Sequence, residues 1–484
     1  MRFFVEFATL RQMVARSALI GAALLCAFSS AHAGRFEAGS FTAHDTSANG
    51  NPVRVNFQQT FDTVPIVVAL IGNTGTDAAK IRITNVTTTG FDELILEPDD
   101  FDGPHSAETI HYLAVEPGRH VLPGGGIVEA GTETVSAIQH GSGVGGAESW
   151  ANPTYSASLP AIPGVIAHIQ TANNEPLASG SSPSQPFLTA TTRNLTASGF
   201  DLALERSEAS AGSIVASETI GWIAFPAGSS GSFLDVSNAS VTWSGVNTAS
   251  NIRGWNNGCF SNPFGLTSAS AIVIAKKNSH FGGDGGWIRR CSLSSSAIGL
   301  TVDEDTSRDN ERGHIVESTS IIAFSRAFHA LLSPSMSVTK TSVSFTDQLG
   351  SSFALPQAQI EYLISVQNAG NSPPNYDSIA LVEALPSQVA LVVTDFGAPA
   401  SGPVQYLDGS PATGLTCSFA GFASTTDCYS FSTDGTDFTY QPTDSGDGTD
   451  PLVSHVRIVP SGFMQADGVT SPTAFTLRFH AKIK

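Results

Sequence analysis

Short apolar runs that alternate with polar residues recur along the chain, and three of them are written in nearly the same letters. They are ETIHYLAV from Glu108, ETIGWIAF from Glu218 and ESTSIIAF from Glu317. Each follows a second recurring run, namely NVTTTGFDELIL from Asn85, NLTASGFDLAL from Asn194 and SLSSSAIGLTV from Ser292. A repeat of about one hundred residues is too long for a solenoid, so the pattern indicates a tandem array of small domains built alike.

The apolar runs are short and are bounded by Gly, Asn, Asp and Pro, which is typical of strands joined by tight turns. We therefore expect an all-β protein made of tandem antiparallel β-sandwiches. The repeats divide residues 34–118, 119–228 and 229–328 into three units. Residues 336–484 differ from them, and there Ile360, Tyr362, Ile364 and Val366 alternate with polar residues. That alternation predicts a half-buried strand, and the segment is expected to form an immunoglobulin-like sandwich.

The first 33 residues predict a signal peptide. Arg2, Arg11 and Arg16 precede the apolar run SALIGAALLCAF, and the residues 31–33, AHA, form an A-x-A cleavage site. We expect export, with the mature chain in the periplasm, on the outer surface or outside the cell. A lipoprotein signal at Cys26 is the alternative, although the letters ALL before that cysteine do not fit its usual spacing.

Charge and hydropathy narrow the partners of the remaining chain. The net charge of the full sequence is −19 at pH 7, and an acidic protein repels both nucleic acid and anionic lipid headgroups. We expect no nucleic-acid partner. No run of about 18 apolar residues follows the leader, so we expect no transmembrane helix either.

Four cysteines follow the leader. Pairing within single predicted units joins Cys259 to Cys291 in the third repeat and Cys417 to Cys428 in the last segment. Two disulfides suit an oxidising compartment. A zinc site is the alternative, but no C-x-x-C motif or nearby histidine pair supports it.

The order of the recurring strands (F-x3-P-x-V, then N-V-T-x-x-G-F, then I-x-[YW]-[IL]-A) resembles the H-type lectin domain. The matching residues of the first repeat are Phe61, Pro65, Val67, Asn85, Thr87, Gly90, Phe91, Ile110, Tyr112 and Ala114. Those of the second are Leu159, Pro163, Val165, Asn194, Thr196, Gly199, Phe200, Ile220, Trp222 and Ala224. The third repeat departs from the pattern with Ser270, Ser292 and the pair Ala297-Ile298. The resemblance covers residues 34–328. It implies a six-stranded antiparallel sandwich, usually trimeric or hexameric, that binds N-acetylgalactosamine-type sugars.

The C-terminal segment begins MSVTKTSVSF and resembles the V-T-K-T repeat domain of bacterial surface proteins, an immunoglobulin-like module of unknown function. The combination implies an exported protein associated with adhesion or pilus assembly. Glycans or surface glycoconjugates are then the expected partners, with pilus or cell-envelope proteins as further candidates.

Tryptophans are the natural platforms for sugar, because pyranose C–H bonds stack on aromatic rings. The third repeat places W-N-N-G-C and G-D-G-G-W-I-R-R-C next to its predicted disulfide. The sugar-binding candidates are therefore Trp255, Asn256, Asp284, Trp287 and Arg289, together with Arg82 and Trp222 of the other repeats. The alternative is structural: a loop braced by the disulfide, and aromatic rings packed in cores.

Acidic loops are the second candidate chemistry, because calcium is bound by clustered carboxylate oxygens. The loops 97–103 and 303–311 occupy equivalent positions in the first and third repeats. Their candidate ligands are Asp99, Asp100, Asp102, Asp303, Asp305 and Asp309. Solvated loops without metal are the alternative. Glu108, Glu218 and Glu317 hold one position in all three repeats, which indicates a shared structural role such as a hydrogen bond to a neighbouring loop.

No motif of a known catalytic centre is present: the chain lacks a G-x-S-x-G elbow, an H-E-x-x-H pair, a Walker loop and a dinucleotide fingerprint. We expect a non-enzymatic carbohydrate-binding protein of the adhesin type. A structural or pilus-associated surface protein that binds no sugar is the alternative, and a secreted hydrolase is the remaining class.

Overall fold

A computed structural model describes residues 24–28, 34–43, 52–98, 105–140, 147–175, 186–206, 214–283, 285–306, 311–466 and 472–484. Within these residues the protein is all-β, as predicted, and its one helical element is the 3₁₀ turn Trp255–Asn257. The chain divides into two compact units. One is formed by residues 32–332, and the other by residues 333–484 with the N-terminal segment that contains the first strand.

The first unit contains twenty-one strands among its described residues, β2 to β22. The first repeat has β2 (Gly34–Ala43), β3 (Val53–Asn56), β4 (Ile66–Leu70), β5 (Lys80–Thr87), β6 (Gly90–Leu96) and β7 (Glu108–Val115). The second has β8 (Gly118–Val121), β9 (Ile127–Val135), β10 (Ile138–Gln139), β11 (Gly164–Ile169), β12 (Leu188–Arg193), β13 (Asp201–Arg206) and β14 (Glu218–Phe225). The third has β15 (Ser229–Leu234), β16 (Ser240–Asn247), β17 (Phe260–Pro263), β18 (Ile272–Lys277), β19 (Trp287–Leu293), β20 (Ala297–Asp303), β21 (Thr319–Phe324) and β22 (Phe328–Leu332).

Each repeat combines a four-stranded sheet with a three-stranded one. The three-stranded sheets are β3-β6-β5, β10-β13-β12 and β17-β20-β19. The four-stranded sheets are β22-β2-β7-β4, β8-β9-β14-β11 and β15-β16-β21-β18. All pairings in these sheets are antiparallel except that of β10 with β13. In the first repeat the two sheets enclose a core around the fully buried Phe91, which forms a sandwich.

The four-stranded sheets are completed by exchange between repeats. The strands that directly follow the third recurring run, β8 after β7 and β15 after β14, are counted here with the next repeat, where β8 pairs with β9 and β15 with β16. The corresponding strand after the third repeat, β22, returns to the start and pairs with β2, with Ala330 opposite Phe36. The three repeats therefore form a closed ring of strand exchange.

The strands β4, β11 and β18 are buried on both faces along almost all of their length. On β4, Val67 and Ala69 point into the sandwich of their own repeat, whereas Val68 and Leu70 point the other way. These outer faces meet in one core shared by the three repeats, which also contains Ile166 of β11 and Ile274 of β18. A strand buried on both faces reads as a continuous apolar run rather than an alternating one, which explains the letters IVVAL, GVIAHI and IVIAKK.

Equivalent valines of β4, β11 and β18 donate their backbone N–H groups to side chains of a neighbouring repeat. The bonds are Val273 N to His111 Nδ1 at 3.0 Å, Val165 N to Ser320 Oγ at 3.0 Å and Val67 N to Gln170 Oε1 at 3.3 Å. They run from the third repeat to the first, from the second to the third and from the first to the second. The contacts thus follow a cyclic order with pseudo-threefold character.

The second unit is a sandwich of two sheets. Its strands are β1 (Leu24–Phe28), β23 (Met336–Thr346), β24 (Gln359–Asn368), β25 (Ile379–Ala384), β26 (Val389–Val392), β27 (Val404–Asp408), β28 (Tyr429–Ser432), β29 (Thr449–Asp450), β30 (His455–Ile458) and β31 (Thr473–Ile483). One sheet has the order β23-β24-β31-β26-β29, with β27 also on β31, and the other has the order β1-β25-β30-β28. The predicted alternation on β24 is confirmed, since Ile360, Tyr362, Ile364 and Val366 are fully buried.

The predicted leader lies largely outside the described residues, and its cleavage stays a prediction. Its part Leu24–Phe28 forms β1, which pairs antiparallel with β25. Both predicted disulfides are confirmed, Cys259–Cys291 with a Cα–Cα distance of 5.8 Å and Cys417–Cys428 with 5.2 Å. Within the part of the chain that the structure describes, no helix is long and apolar enough to cross a membrane.

Candidate functional site

Four of the predicted sugar-binding side chains are buried in the first unit. Trp222 is 5% exposed and packs against Tyr155 and Phe200 with ring centroids 6.0 and 5.5 Å away. Trp287 is 7% exposed, contacts Phe187 and donates its Nε1–H to the Ala79 carbonyl at 2.8 Å. Neither ring offers a face to a ligand in solution, so both serve packing here.

The two arginines that recur between repeats, Arg82 and Arg289, are also buried, and each joins one repeat to the next. Arg289 of the third repeat donates to Glu108 of the first at 2.9 Å and to Asp303 at 2.9 Å. Arg82 of the first repeat pairs with Glu175 of the second. With both guanidinium groups occupied by carboxylates, the arginines hold repeats together and do not face a sugar.

The recurring glutamates bind the loop that follows β4, β11 or β18, so their predicted structural role is confirmed. Glu108 accepts hydrogen bonds from the backbone N–H groups of Thr74 and Gly75 at 2.9 and 3.1 Å. Glu218 accepts from Asn173 and Asn174, and Glu317 from Phe281 and Gly282. Burial alone would raise the pKa of Glu108, but a hydrogen bond from His105, the two backbone bonds and Arg289 lower it to about 2.

The acidic residues predicted to bind calcium divide into two groups. Asp99, Asp100, Asp102 and Asp309 lie outside the described residues. Asp303 is fully buried between Arg289 and Arg312, and Asp305 is fully buried as well. Because Asp303 is already neutralised by two guanidinium groups, it is poorly suited to a cation.

The loop around Trp255 is the part of the predicted sugar site that reaches the surface. Trp255 is half-buried at the start of the 3₁₀ turn, and Asn256 beside it is exposed. The guanidinium group of Arg312 lies 4.2 Å from the ring centroid, and that of Arg289 lies 5.5 Å away. The Cys259–Cys291 disulfide ties this loop to β19. Asp284 lies outside the described residues, so the loop brings together Trp255 and Asn256 of the predicted set.

The second and third repeats form a concave cleft where they meet. It has a volume of about 360 Å³ and lies between the β8–β9 turn, the loop before β11 and the start of β15. Its lining includes Pro123, Ile162, Ser229, Ser230 and Trp243. Trp243 is 2% exposed, and its Nε1–H has no hydrogen-bond partner among the described residues. Binding sites are typically concave and mostly apolar, with few polar groups, and this cleft fits that description.

The sequence gives no direct signal for this cleft. Trp243 is one of five tryptophans, and nothing in its neighbourhood marks it, because the cleft is assembled from loops of two repeats. Four prolines line the cleft, namely those at positions 123, 160, 163 and 226. They lie in the connections between strands, which the fold brings together.

Two repeats also contain a histidine held between two glutamates. His105 Nδ1 lies 2.8 Å from Glu97 Oε1, and its Nε2 lies 3.3 Å from Glu108 Oε1. His314 is placed in the same way between Glu304 and Glu317. Burial lowers the pKa of His105, but the two carboxylates outweigh it and raise the value to about 9. The histidine of the first repeat lies only eight and three residues from its two glutamates, but this spacing matches no familiar motif, so sequence inspection missed the group.

No known protein family, curated protein or solved structure matches this chain.

Proposed function

We propose that this protein is an exported, non-enzymatic carbohydrate-binding protein of the adhesin type, and that the cleft beside Trp243 holds the glycan. The observation that carries the proposal is the cleft itself, a concavity of about 360 Å³ that combines proline and aromatic rings with two serines. A sugar presents the complementary surfaces, namely apolar C–H faces and hydroxyl groups that accept and donate hydrogen bonds.

The arrangement of the repeats supports the same proposal. The resemblance to H-type lectins implies sandwich domains that usually assemble as trimers or hexamers, and here three repeats surround one core with cyclic contacts in a single chain. In a trimer of that kind the junctions between domains are natural ligand sites, and the cleft lies at such a junction. The exposed Asn256 and the half-buried Trp255 form a second surface that a longer glycan could contact.

A glycan array probed with the full-length chain tests the proposal, with and without added calcium. Ser230 is exposed at the cleft, so Ser230→Trp fills the cleft without disturbing a core. We expect this variant to bind the recognised glycan at least tenfold more weakly, which corresponds to about 1.4 kcal/mol. Ser295→Trp is the matched control, because Ser295 is exposed in a turn of the third repeat that does not line the cleft. Absence of binding to every glycan would overturn the proposal.

A structural role at the cell surface is the second candidate, and the closed strand exchange favours it. A ring of repeats tied by β22 and by buried ion pairs resists unfolding whether or not it binds a ligand. Loss of surface assembly on deletion of the gene, together with an empty glycan array, would select this function.

A further inference from the structure

The loop after β4 brings a third carboxylate to the histidine of the first repeat. One ligand atom each from Asp77, Glu97 and His105 lies within 4.8 Å of the other two. Glu97 is 5% exposed and His105 is 3% exposed, whereas Asp77 lies at the surface. The group therefore forms a small polar recess with a buried floor and one side open to solvent.

These three atoms suit a divalent transition-metal ion better than calcium. Zinc is bound by His nitrogen and carboxylate oxygen at about 2.0–2.2 Å, often by three protein ligands with a position left open. Calcium takes oxygen ligands, six or more of them, and an imidazole nitrogen does not serve it. Ligand atoms around a tetrahedral zinc ion lie about 3.3 Å apart by this geometry, so the three side chains need only small adjustments to converge.

The ring nitrogen Nε2 of His105 faces a carboxylate, as the nitrogen that does not bind the metal usually does in metal-binding histidines. A histidine that binds a metal commonly donates its other ring N–H to a carboxylate, which fixes the ring and raises its basicity. Here Nδ1 faces Glu97, and Nε2 lies 3.3 Å from Glu108 Oε1. Glu108 is itself fixed by two backbone N–H groups and by Arg289. The supporting carboxylate is thus in place without any movement of the backbone.

Comparison of the repeats gives an independent argument. Gly75 lies against the ring of His105 and Gly282 against the ring of His314, so the two glycines hold equivalent positions. Two residues further along the chain, Asp77 therefore corresponds to Asp284 in the sequence. The first and third repeats therefore both have Asp, Glu and His at the three positions, whereas the second has Pro176, Arg206 and Val215. A buried ion pair explains why Glu and His occur together. It does not explain why the aspartate, which is exposed in the first repeat, occurs in the two repeats that have this Glu and His and is missing from the repeat that lacks them.

We propose that Asp77, Glu97 and His105 bind a divalent transition-metal ion of the zinc class, with Glu108 as the supporting carboxylate of His105. The ion lies at the surface of the first repeat and links the loop after β4 to the end of β6. This site is separate from the Trp243 cleft, and neither proposal depends on the other.

Titration of the full-length, chelator-treated chain with Zn²⁺ by calorimetry tests the proposal, with Co²⁺ absorption as a second readout of a histidine-containing site. Asp77→Asn is the decisive variant. It removes an exposed ligand and leaves the buried pair of Glu97 and His105 intact, so its melting temperature in chelator should equal that of the unaltered chain. We expect it to lose one equivalent of bound Zn²⁺, or to bind it at least tenfold more weakly.

Glu148→Gln is the matched control, because Glu148 is an exposed carboxylate remote in sequence from the three ligands. It should bind Zn²⁺ as the unaltered chain does. Absence of Zn²⁺ binding by the unaltered chain would overturn the proposal and leave a histidine ion pair only. Equal stoichiometry and affinity for Asp77→Asn and Glu148→Gln would also overturn it.

Discussion

Arg289 is a charged side chain with no exposed surface, and its partners explain why it can be buried. Glu108 of the first repeat and Asp303 of its own repeat both accept hydrogen bonds from it, and backbone carbonyls of the loop after β4 accept others. Removing one partner of a buried ion pair leaves an uncompensated charge and typically costs about 3–5 kcal/mol. We expect Arg289→Met to lower the free energy of unfolding of the first unit by about 3 kcal/mol or more.

Tryptophan fluorescence in a denaturant titration measures this change, because all five tryptophans lie in the three repeats. Arg54→Met is the control. Arg54 pairs with Asp92 near the surface, with side chains 34% and 18% exposed, and exposed pairs contribute only about 1 kcal/mol or less. Equal effects of the two substitutions would contradict the role assigned to Arg289.

Histidines at the junctions of the repeats make the first unit sensitive to acid. His111 accepts a backbone N–H from another repeat and must be neutral to do so; burial and the nearby Arg290 lower its pKa to about 4. Between pH 6.5 and about 4 the unfolded chain then binds the proton and the folded chain does not, so stability falls as the pH falls. One such proton gives a slope of up to about 1.4 kcal/mol per pH unit.

We expect His111→Gln to reduce that slope by up to one proton's contribution, since a glutamine oxygen can accept the same N–H, as Gln170 does for Val67. Urea titrations at intervals from pH 6.5 to pH 4 measure the slope. Ser295→Gln, at an exposed residue that carries no titratable group, is the control and should keep the slope of the unaltered chain. An unchanged slope in His111→Gln would show that this residue does not govern the acid response.

At the scale of single elements, β22 closes the ring of repeats by pairing with β2. Disrupting β22 should therefore destabilise the first repeat, although the two strands are far apart in the sequence. Ala330 on this strand is fully buried opposite Phe36. Ala330→Asp would bury an unpaired carboxylate, which is among the few single changes that cost several kcal/mol. We expect a large fall in the melting temperature of the fluorescence transition and faster proteolysis of the first repeat.

Leu331→Asp is the matched control for this strand. Leu331 is the next residue and points to the opposite face, where it is only half-buried. Its substitution should shift the melting temperature much less. If both changes act alike, the strand contributes through its backbone pairing and not through the buried face.

The strands themselves could be predicted from the sequence, but their partners could not. The recurring runs indicated β7, β14 and β21, and the alternation around Tyr362 indicated β24, because these patterns are local. Nothing local tells whether the strand after β21 pairs within its own repeat or returns to β2. Similarly, Trp222 lies on a strand buried on both faces, so its pattern of apolar letters gave no indication of which way the ring points.

The candidate sites show the same limit. Trp255 and Asn256 could be predicted from glycines and a cysteine beside them, whereas the Trp243 cleft depends on loops of two repeats that meet only after strand exchange. The group of Asp77, Glu97 and His105 lies within one repeat, but folding is needed to bring Asp77 to the other two residues. Its recurrence in the third repeat was present in the sequence, but only the contacts of Gly75 and Gly282 give the alignment that reveals it.

At the scale of the whole molecule, each compact unit contains one disulfide, and this allows the two units to be destabilised separately. Cys259–Cys291 spans 32 residues in the first unit, and Cys417–Cys428 spans 11 in the second. In the chain-entropy model, such loops correspond to about 4 and about 3 kcal/mol of stabilisation. Replacing both cysteines of a pair by serine should therefore lower the stability of the unit that contains it.

We expect differential scanning calorimetry of the full-length chain to resolve a transition for each unit, and fluorescence to follow the first unit alone, because the second has no tryptophan. The double replacement at 259 and 291 should shift the fluorescence transition to lower temperature and leave the other calorimetric transition in place. The double replacement at 417 and 428 should do the reverse. A single calorimetric transition that both replacements shift equally would show that the two units unfold together. The ion pairs and strand exchange within residues 32–332 would then not suffice to make that part an independent folding unit.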